Sequence, residues 1–329
     1  MQYRPLGRTD LNVSAIALGC WAFGGGPYWG DRDEQLSEQT IRTAFEVGIN
    51  FFDTAEGYGN GHSEVVLGRA LGVRRPQAVI ATKVSADHLG REDLIRACEG
   101  SLRRLGTDYI DLYQIHWPSR TVPLEETMAA MQTLLEQGKV RAVGVSNFGV
   151  HDLSEALRWG RVECNQLPYS LLWRAIEYEI GNACFANEVG MLCYSPLAQG
   201  LLTGRWHSAD EVPSGRAVTR IYSCEREGVR HGQEGAEEEV FQALAEIDAI
   251  ADELAVPMAN LAVAWLLHQP CVTSVLAGAG NPAQLRINAQ AADLKLDDGV
   301  VQRLSAATEA VKAKIGPNPD MWQAESRYR

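Results

Sequence analysis

Ala78-Val79-Ile80-Ala81-Thr82-Lys83, then the helix-like segment Glu92–Leu105, then Tyr109-Ile110-Asp111-Leu112-Tyr113-Gln114-Ile115-His116 form the stretch on which the fold turns. Its outer parts are short apolar runs of strand length, and its middle part is long enough for about four helical turns. A strand, a helix and a second strand in this order make the crossover unit of a parallel sheet.

The same unit recurs on both sides. Upstream lie Ala15-Ile16-Ala17-Leu18, ended by Gly19, with a helix over Glu34–Val47, and then Asn50-Phe51-Phe52-Asp53 with a helix over Ser63–Leu71. Downstream a helix over Leu124–Gln137 completes the fourth unit, and Val140–Val145 with His151–Trp159 makes the fifth. Val162–Gln166 with Ile176–Glu188 makes the sixth, and Met191-Leu192-Cys193-Tyr194 with helices over Val240–Leu254 and Ala259–His268 the seventh. Cys271–Ala277 with Pro282–Ala291 is the last. Eight strand–helix units predict an α/β fold closed into a (β/α)8 TIM barrel. The chain has 329 residues, 46% of them hydrophobic, which suits one such domain over residues 1–329. Tyr3–Ser14, turning at Gly7-Arg8-Thr9-Asp10, is expected as an N-terminal β-hairpin. Residues 200–235 are expected as a long mobile loop after strand 7, followed by C-terminal helices and a polar tail over 312–329. That tail either folds back over the barrel mouth or reaches a neighbouring subunit. A doubly wound dinucleotide sheet is the rival, but neither Gly24-Gly25-Gly26-Pro27-Tyr28-Trp29 nor Gly57-Tyr58-Gly59-Asn60-Gly61-His62 has the G-x-G-x-x-G spacing.

Composition narrows the partners. The net charge is −12, from 42 acidic and 30 basic side chains, which disfavours nucleic acid and anionic membrane surfaces. No uncharged apolar run reaches membrane-spanning length, and Met1–Arg8 lacks an apolar leader region, so a cytoplasmic location is expected. The seven cysteines are scattered without C-x-x-C, and all are expected to be buried free thiols of a reducing compartment. The seven histidines show neither H-x-H nor H-E-x-x-H, so no metal site is expected.

Barrel enzymes collect their chemistry at the C-terminal strand ends. Those ends carry Trp21, Asp53, Lys83, His116, Ser146-Asn147, Gln166 and Tyr194-Ser195 in order. Any one is explained by an ordinary loop residue; the ordered set is not. The motifs are more specific still. Asp53-Thr54-Ala55-Glu56-Gly57-Tyr58-Gly59, with Ser63-Glu64 and Gly68 behind it, resembles the D-T-A-x-x-Y-G signature of the aldo-keto reductases. Thr82-Lys83, Asp108–His116, Gly144-Val145-Ser146-Asn147-Phe148, Tyr194-Ser195-Pro196-Leu197 and Gly278-Ala279-x-x-Pro282-x-Gln284-x-x-x-Asn288 continue the resemblance in register with the strands. It spans about residues 3 to 310 and is nearest to bacterial relatives of voltage-gated potassium channel β-subunits and of inositol or aldose dehydrogenases.

The resemblance implies NAD(P)(H)-dependent interconversion of a carbonyl and an alcohol, with a catalytic tetrad of Asp53, Tyr58, Lys83 and His116. Tyr58 would be the general acid, Lys83 would lower its pKa, Asp53 would hold Lys83, and His116 would orient the carbonyl oxygen. Ser146, Asn147 and Gln166 would hold the nicotinamide carboxamide, and Tyr194 would stack on its ring. Ser195, Pro196, Leu197, Gln199, Gly200, Leu202 and Gly204 would follow the pyrophosphate. Gly278, Gly280, Gln284 and Asn288 would surround the adenosine, and Gly19, Trp21 and Asp53 complete the cofactor set. Ala277-Gly278-Ala279-Gly280-Asn281 carries no Lys or Arg for the 2′-phosphate of NADP, which leaves NAD and NADP both open. Trp21, Tyr28, Trp29 and Trp117, with Tyr58 and His116, are expected to wall the pocket of a small carbonyl or alcohol substrate, with sugars and polyols among the options. A homo-oligomer is left open. The alternative function is a cofactor-binding, redox-sensing regulatory subunit with slow turnover, which the same tetrad would suit.

Overall fold

The computed structural model describes residues 1–26 and 29–329. A hairpin of β1 (Tyr3–Pro5) and β2 (Asn12–Ser14) precedes eight parallel strands closed into a barrel. These are β3 (Ile16–Gly19), β4 (Phe51–Asp53), β5 (Val79–Val84), β6 (Ile110–Ile115), β7 (Val140–Ser146), β8 (Cys164–Pro168), β9 (Gly190–Tyr194) and β10 (Val272–Gly278). They pair in chain order, and β10 returns to β3 with Gly278 opposite Gly19. Outside run α1 (Glu34–Glu46), α2 (His62–Leu71), α3 (Arg91–Leu105), α4 (Leu124–Glu136), α5 (Val150–Trp159) and α6 (Ile180–Ala186). After the long excursion come α7 (Glu237–Glu253), α8 (Met258–His268), α9 (Pro282–Gln290), α10 (Asp298–Ala307) and α11 (Glu309–Ile315). The expected TIM barrel, hairpin and C-terminal helices are all present.

Alternation along each strand sorts the side chains. Outward positions such as Ile16, Leu18, Phe52, Ile80, Tyr113, Ile115 and Val143 join the helices in the larger core. Inward positions Ala17, Phe51, Val79, Ala81, Leu112, Ala142, Cys164, Leu192 and Leu276 fill the barrel, and Leu6, Leu11 and Val13 of the hairpin pack onto them. The hairpin is thus a plug in the N-terminal end of the barrel. One alternation step further along, the inward positions become Gly19, Asp53, Lys83, Gln114, Gly144, Gln166, Tyr194 and Gly278. The interior is therefore apolar below and polar at the C-terminal end. Gly144 is needed there because a Cβ would lie 2.5 Å from the Cys164 sulfur.

Several details depart from the sequence-based expectations. The helix expected over Ile176–Glu188 is a 3-10 turn, Ala175–Glu177, followed by α6. Glu177 is claimed by Tyr169, Arg174 and Lys312, which fixes the first turn to distant elements and breaks the helix at Glu179. The sixth barrel strand starts at Cys164, two residues later than expected, because its ladder to β9 extends to Pro168 opposite Tyr194. Cys224 is exposed and Cys271 half-buried, so the thiols are not all buried. No single helix among the described residues is long and apolar enough to cross a membrane; the apolar pair α7 and α8 is bent by 96° and lies in the helix layer.

The excursion between β9 and α7 is tied to the chain's C-terminal segment. Arg220, buried, donates to the carbonyls of Ile315, Asn318 and Asp320. The C-terminal segment in turn folds back across the C-terminal face of the barrel.

Leu6 is fully buried in the barrel plug. Leu6→Ala should destabilise the protein by about 2–5 kcal/mol, read as a lower urea midpoint at unchanged slope. A loss under about 0.5 kcal/mol would mean that the hairpin does not close the barrel.

Candidate active site

The polar top layer of the barrel assembles around one ammonium. Lys83, at the inward end of β5, is fully buried. Its Nζ donates to Asp53 Oδ2 at 2.7 Å, to the Thr54 carbonyl at 2.8 Å and to the Tyr58 hydroxyl at 3.3 Å. All three ammonium hydrogens are thereby used. Asp53 Oδ1 accepts from Gln166 Nε2 at 2.8 Å, which ties β8 to β4 across the barrel. Tyr58 is held by the loop after β4: Gly59 has φ +59°, and a Cβ there would collide with the Gly24 carbonyl. The His116 ring stands edge-on to Tyr58 with centroids 5.6 Å apart. Sequence reasoning named these four side chains, and the fold brings all four together.

Electrostatics set their protonation. Burial opposes the Lys83 charge, but Asp53 and Tyr58 outweigh it and hold the ammonium above its ordinary pKa. Burial also pushes the Tyr58 phenol up; the Lys83 charge pulls it down and Asp53 offsets part of that pull. An acidified phenol was the expectation, yet here burial wins and the hydroxyl keeps its proton at neutral pH. Because its oxygen accepts from Lys83, that proton points elsewhere, available to an acceptor. Burial, with help from the Lys83 charge, lowers His116 to about 3, so its imidazole is neutral.

Beside the tetrad, Ser146, Asn147 and Gln166 form one network. Ser146 Oγ donates to the Gln166 carbonyl, and Asn147 Nδ2 donates to Ser146 Oγ and to the His116 carbonyl. Asn147 has φ +63°, a left-handed conformation uncommon outside glycine. After β9, Ser195, Ala198 and Gln199 also have positive φ, with Gly200 and Gly204. Such a concentration of strained backbone is typical of ligand-facing segments. Pro196 and Leu202 are buried and support this loop, and Leu197 is half-buried. At the β10 end, Asn288 donates to the Gly278 carbonyl, and Gln284 accepts from the Gly280 N–H, so both shape the loop itself.

Trp21 and Trp29 meet edge to face at 5.2 Å, and Trp21 lies 6.1 Å from Tyr58. Trp117 instead packs against Tyr328 at 5.5 Å, with Arg327 over its ring. Tyr28 lies outside the described residues. Other signature residues turn out to be structural. Ser63 bonds Thr54 and the Cys20 carbonyl, while Glu64, buried, accepts from Thr82 and Arg104. Asp111 gathers Arg75, Arg141 and the Ile80 N–H.

Sequence reasoning missed three sets of residues. Gln114 lines the top layer with its Nε2 unpartnered among the described residues; its inward register was the available signal. Arg32 comes from the loop before α1 and stands beside Gly280, with Nη1 3.8 Å from where a Gly280 Cβ would be. They share a cavity of about 80 Å³ with Phe23, Asp31, Asp33 and Ser37. Arg286, nearer in sequence, is turned away to Glu46. Finally, Trp322, Arg327 and Tyr328 of the C-terminal segment reach Tyr194, Trp117 and Asn147. The tail thus takes the first of its two expected courses, back over the barrel mouth, but nothing local in the sequence foretells these particular contacts or the approach of Arg32.

Comparison with known proteins agrees with this architecture. The model of the Aldo/keto reductase family matches residues 15–309. The NADH-specific methylglyoxal reductase of Escherichia coli is 36% identical, over 95% of this chain and all of that protein. A probable voltage-gated potassium channel subunit beta of Arabidopsis thaliana is 30% identical, over 89% of this chain and 92% of that one. The crystal structure of an aldo-keto reductase from Klebsiella pneumoniae in complex with NADPH superposes with a TM-score of 0.76 at 29% identity, covering 96% of this chain and 97% of that one.

The neutral His116 has a measurable consequence. Its pKa is lower in the fold than in the unfolded chain, so the unfolded state binds the extra proton between about pH 6.5 and about pH 3. Stability from this group is complete above about pH 6.5 and is lost on acidification, by up to about 1.4 kcal/mol per pH unit in that window. His116→Gln should flatten the fall in urea midpoint between pH 6.5 and 4.5; parallel curves for both proteins would show that the imidazole is not held neutral.

Proposed function

The chain belongs to the aldo/keto reductase family, and from that membership we propose that it interconverts a small carbonyl and its alcohol using NAD(P)(H), with Tyr58 as general acid and base. The observation that carries this reading is the Lys83 ammonium bonded to both Asp53 and the Tyr58 hydroxyl in the floor of the site. A nicotinamide cofactor, when bound, supplies or accepts the hydride.

The residues present fit such a cofactor. Ser146, Asn147 and Gln166 offer a hydroxyl and two amides of the kind a carboxamide needs. Arg205 and Arg216 lie beside the strained 195–204 loop, and Arg216 donates to the Gln199 carbonyl. Burial and the nearby Arg216 charge lower the Arg205 pKa, and neither guanidinium has a carboxylate partner among the described residues. Two adjacent, unneutralised cations in an acidic protein are relieved by a pyrophosphate. Gly19 and Gly278, paired at the barrel rim, allow a close backbone approach.

The chain's own groups then divide the work. His116, neutral, donates one hydrogen bond to the carbonyl oxygen and orients it. As negative charge grows on that oxygen, the Tyr58 hydroxyl gives up its proton. Lys83 stabilises the phenolate left behind, and Asp53 keeps Lys83 in place. In the oxidative direction the same phenolate removes the alcohol proton. Trp21 and Trp29 present an apolar wall, which favours small aldehydes, such as the methylglyoxal named for the E. coli relative, over highly charged substrates. The channel-subunit relative favours a second reading, a redox-sensing regulatory protein that binds cofactor and turns over slowly.

Steady-state reduction of an aldehyde, α-oxoaldehyde, sugar and polyol panel with NADH and NADPH separates the two readings: ordinary kcat supports the enzyme, and tight cofactor binding with negligible kcat supports the sensor. Tyr58→Phe should lower kcat by about 10²–10⁴-fold at nearly unchanged cofactor Kd; retained activity would remove Tyr58 from the acid role. Arg32 supplies the cation that residues 277–281 lack. Arg32→Ala should weaken NADPH about tenfold and NADH little, as loss of one charge-assisted contact predicts. Equal losses for both cofactors would show that Arg32 does not read the 2′-phosphate.

A further inference from the structure

The amide of Asn147 is saturated. An asparagine side chain has two N–H donors and a carbonyl oxygen with two lone pairs. Both donors are spent on Ser146 and His116, and the oxygen accepts from the Tyr194 hydroxyl at 2.9 Å and the Tyr328 hydroxyl at 2.5 Å. Ser146, Asn147 and Gln166 are at most 3% exposed. A carboxamide N–H therefore cannot take the Asn147 oxygen unless a tyrosine hydroxyl withdraws, and Tyr328 belongs to the C-terminal segment rather than to a barrel strand.

Residues 320–329 form a strap stapled to itself. Asp320, fully buried, holds Arg327 through two hydrogen bonds and accepts from the Trp322 and Gln323 N–H groups. The base is anchored by Arg220 and by the Trp173 indole, which donates to the Pro319 carbonyl. The tip is held differently. Arg329 and Arg120 both pair with Asp152 near the start of α5, and both guanidinium side chains are substantially exposed, 57% and 37%. Asp152 itself is buried, and the Arg329 backbone bonds it in both directions, so the tip is fastened at one carboxylate whose pairing with Arg329 a raised strap must give up. Meanwhile Trp322 lies parallel to Tyr194, at 9° with centroids 6.4 Å apart, and Tyr328 packs on Trp117.

We propose that this strap is a gate on the nicotinamide end of the cofactor site, with the Tyr328 hydroxyl occupying the hydrogen-bonding seat on Asn147 that the carboxamide competes for. The inference rests on the dinucleotide reading above. Only the fraction of molecules with the strap raised accepts the nicotinamide, so the closed strap lowers apparent affinity and association rate together. On the dinucleotide reading the adenosine and pyrophosphate end falls to the 195–204 loop and Gly280, and the gate leaves its binding unaffected.

The test uses the full chain, with stopped-flow binding of NADH, NADPH and ADP-ribose to the wild type, Tyr328→Phe and Arg329→Ala. ADP-ribose lacks the nicotinamide. Each variant should raise the association rate and affinity for NADH and NADPH about tenfold, the worth of one hydrogen bond in a gating equilibrium, and leave ADP-ribose unchanged. Unchanged or weaker dinucleotide binding in both variants overturns the gate while the dinucleotide reading stands. A parallel gain for ADP-ribose overturns it too, since the strap would then act on the whole site. Absence of binding by all three ligands to the wild type removes the dinucleotide reading, and the gate with it.

Discussion

A buried ammonium is costly to keep charged, and this protein organises the mouth of its barrel to keep one. Lys83 uses every hydrogen it has on Asp53, Thr54 and Tyr58. Those partners come from β4 and the loop behind it, so the charge cannot be satisfied unless β4 and β5 lie in register and the loop closes over them. Asp53 extends the constraint to β8 through Gln166. The network binds strands far apart in the chain, and it converts a generic barrel end into a site of defined geometry.

The charge also decides how its neighbours titrate. His116 is neutral because it is buried beside a cation, and Tyr58 keeps its proton because burial outweighs the attraction of that cation. The two effects are complementary. A neutral imidazole and a protonated phenol stand side by side, and on the proposed mechanism both donate to an oxygen that is about to gain charge. On the proposed mechanism Lys83 matters most after the proton has left, when its attraction for a phenolate is fully expressed in a medium of low dielectric.

The rest of the mouth has a different character. Around Asn147 and in the loop after β9 the backbone is strained, and two arginines lie close together without carboxylate partners among the described residues. These features are unfavourable in isolation, and in the proposed reading they lie along an extended anion with an amide at one end. In the proposed reading the C-terminal strap sits on the amide end of that track, rooted at Arg220 and fastened at its tip to the buried Asp152.

Local pattern was enough to determine the number and order of strand–helix units, and hence the closed parallel barrel, because burial on a period of two or 3.6 is written residue by residue. It also determined that Asp53, Lys83 and His116 stand at or beside the ends of successive strands, since the apolar run of each strand fixes where its polar end falls. Tertiary structure alone decided the broken helix at Glu179, the approach of Arg32 to Gly280, and the arrival of Tyr328 at Asn147. It also decided the sign of the Tyr58 shift, which depends on how much water the fold excludes. Each of these is set by groups tens to hundreds of residues apart, whose meeting depends on how the whole chain packs and leaves no periodic trace in the neighbouring sequence.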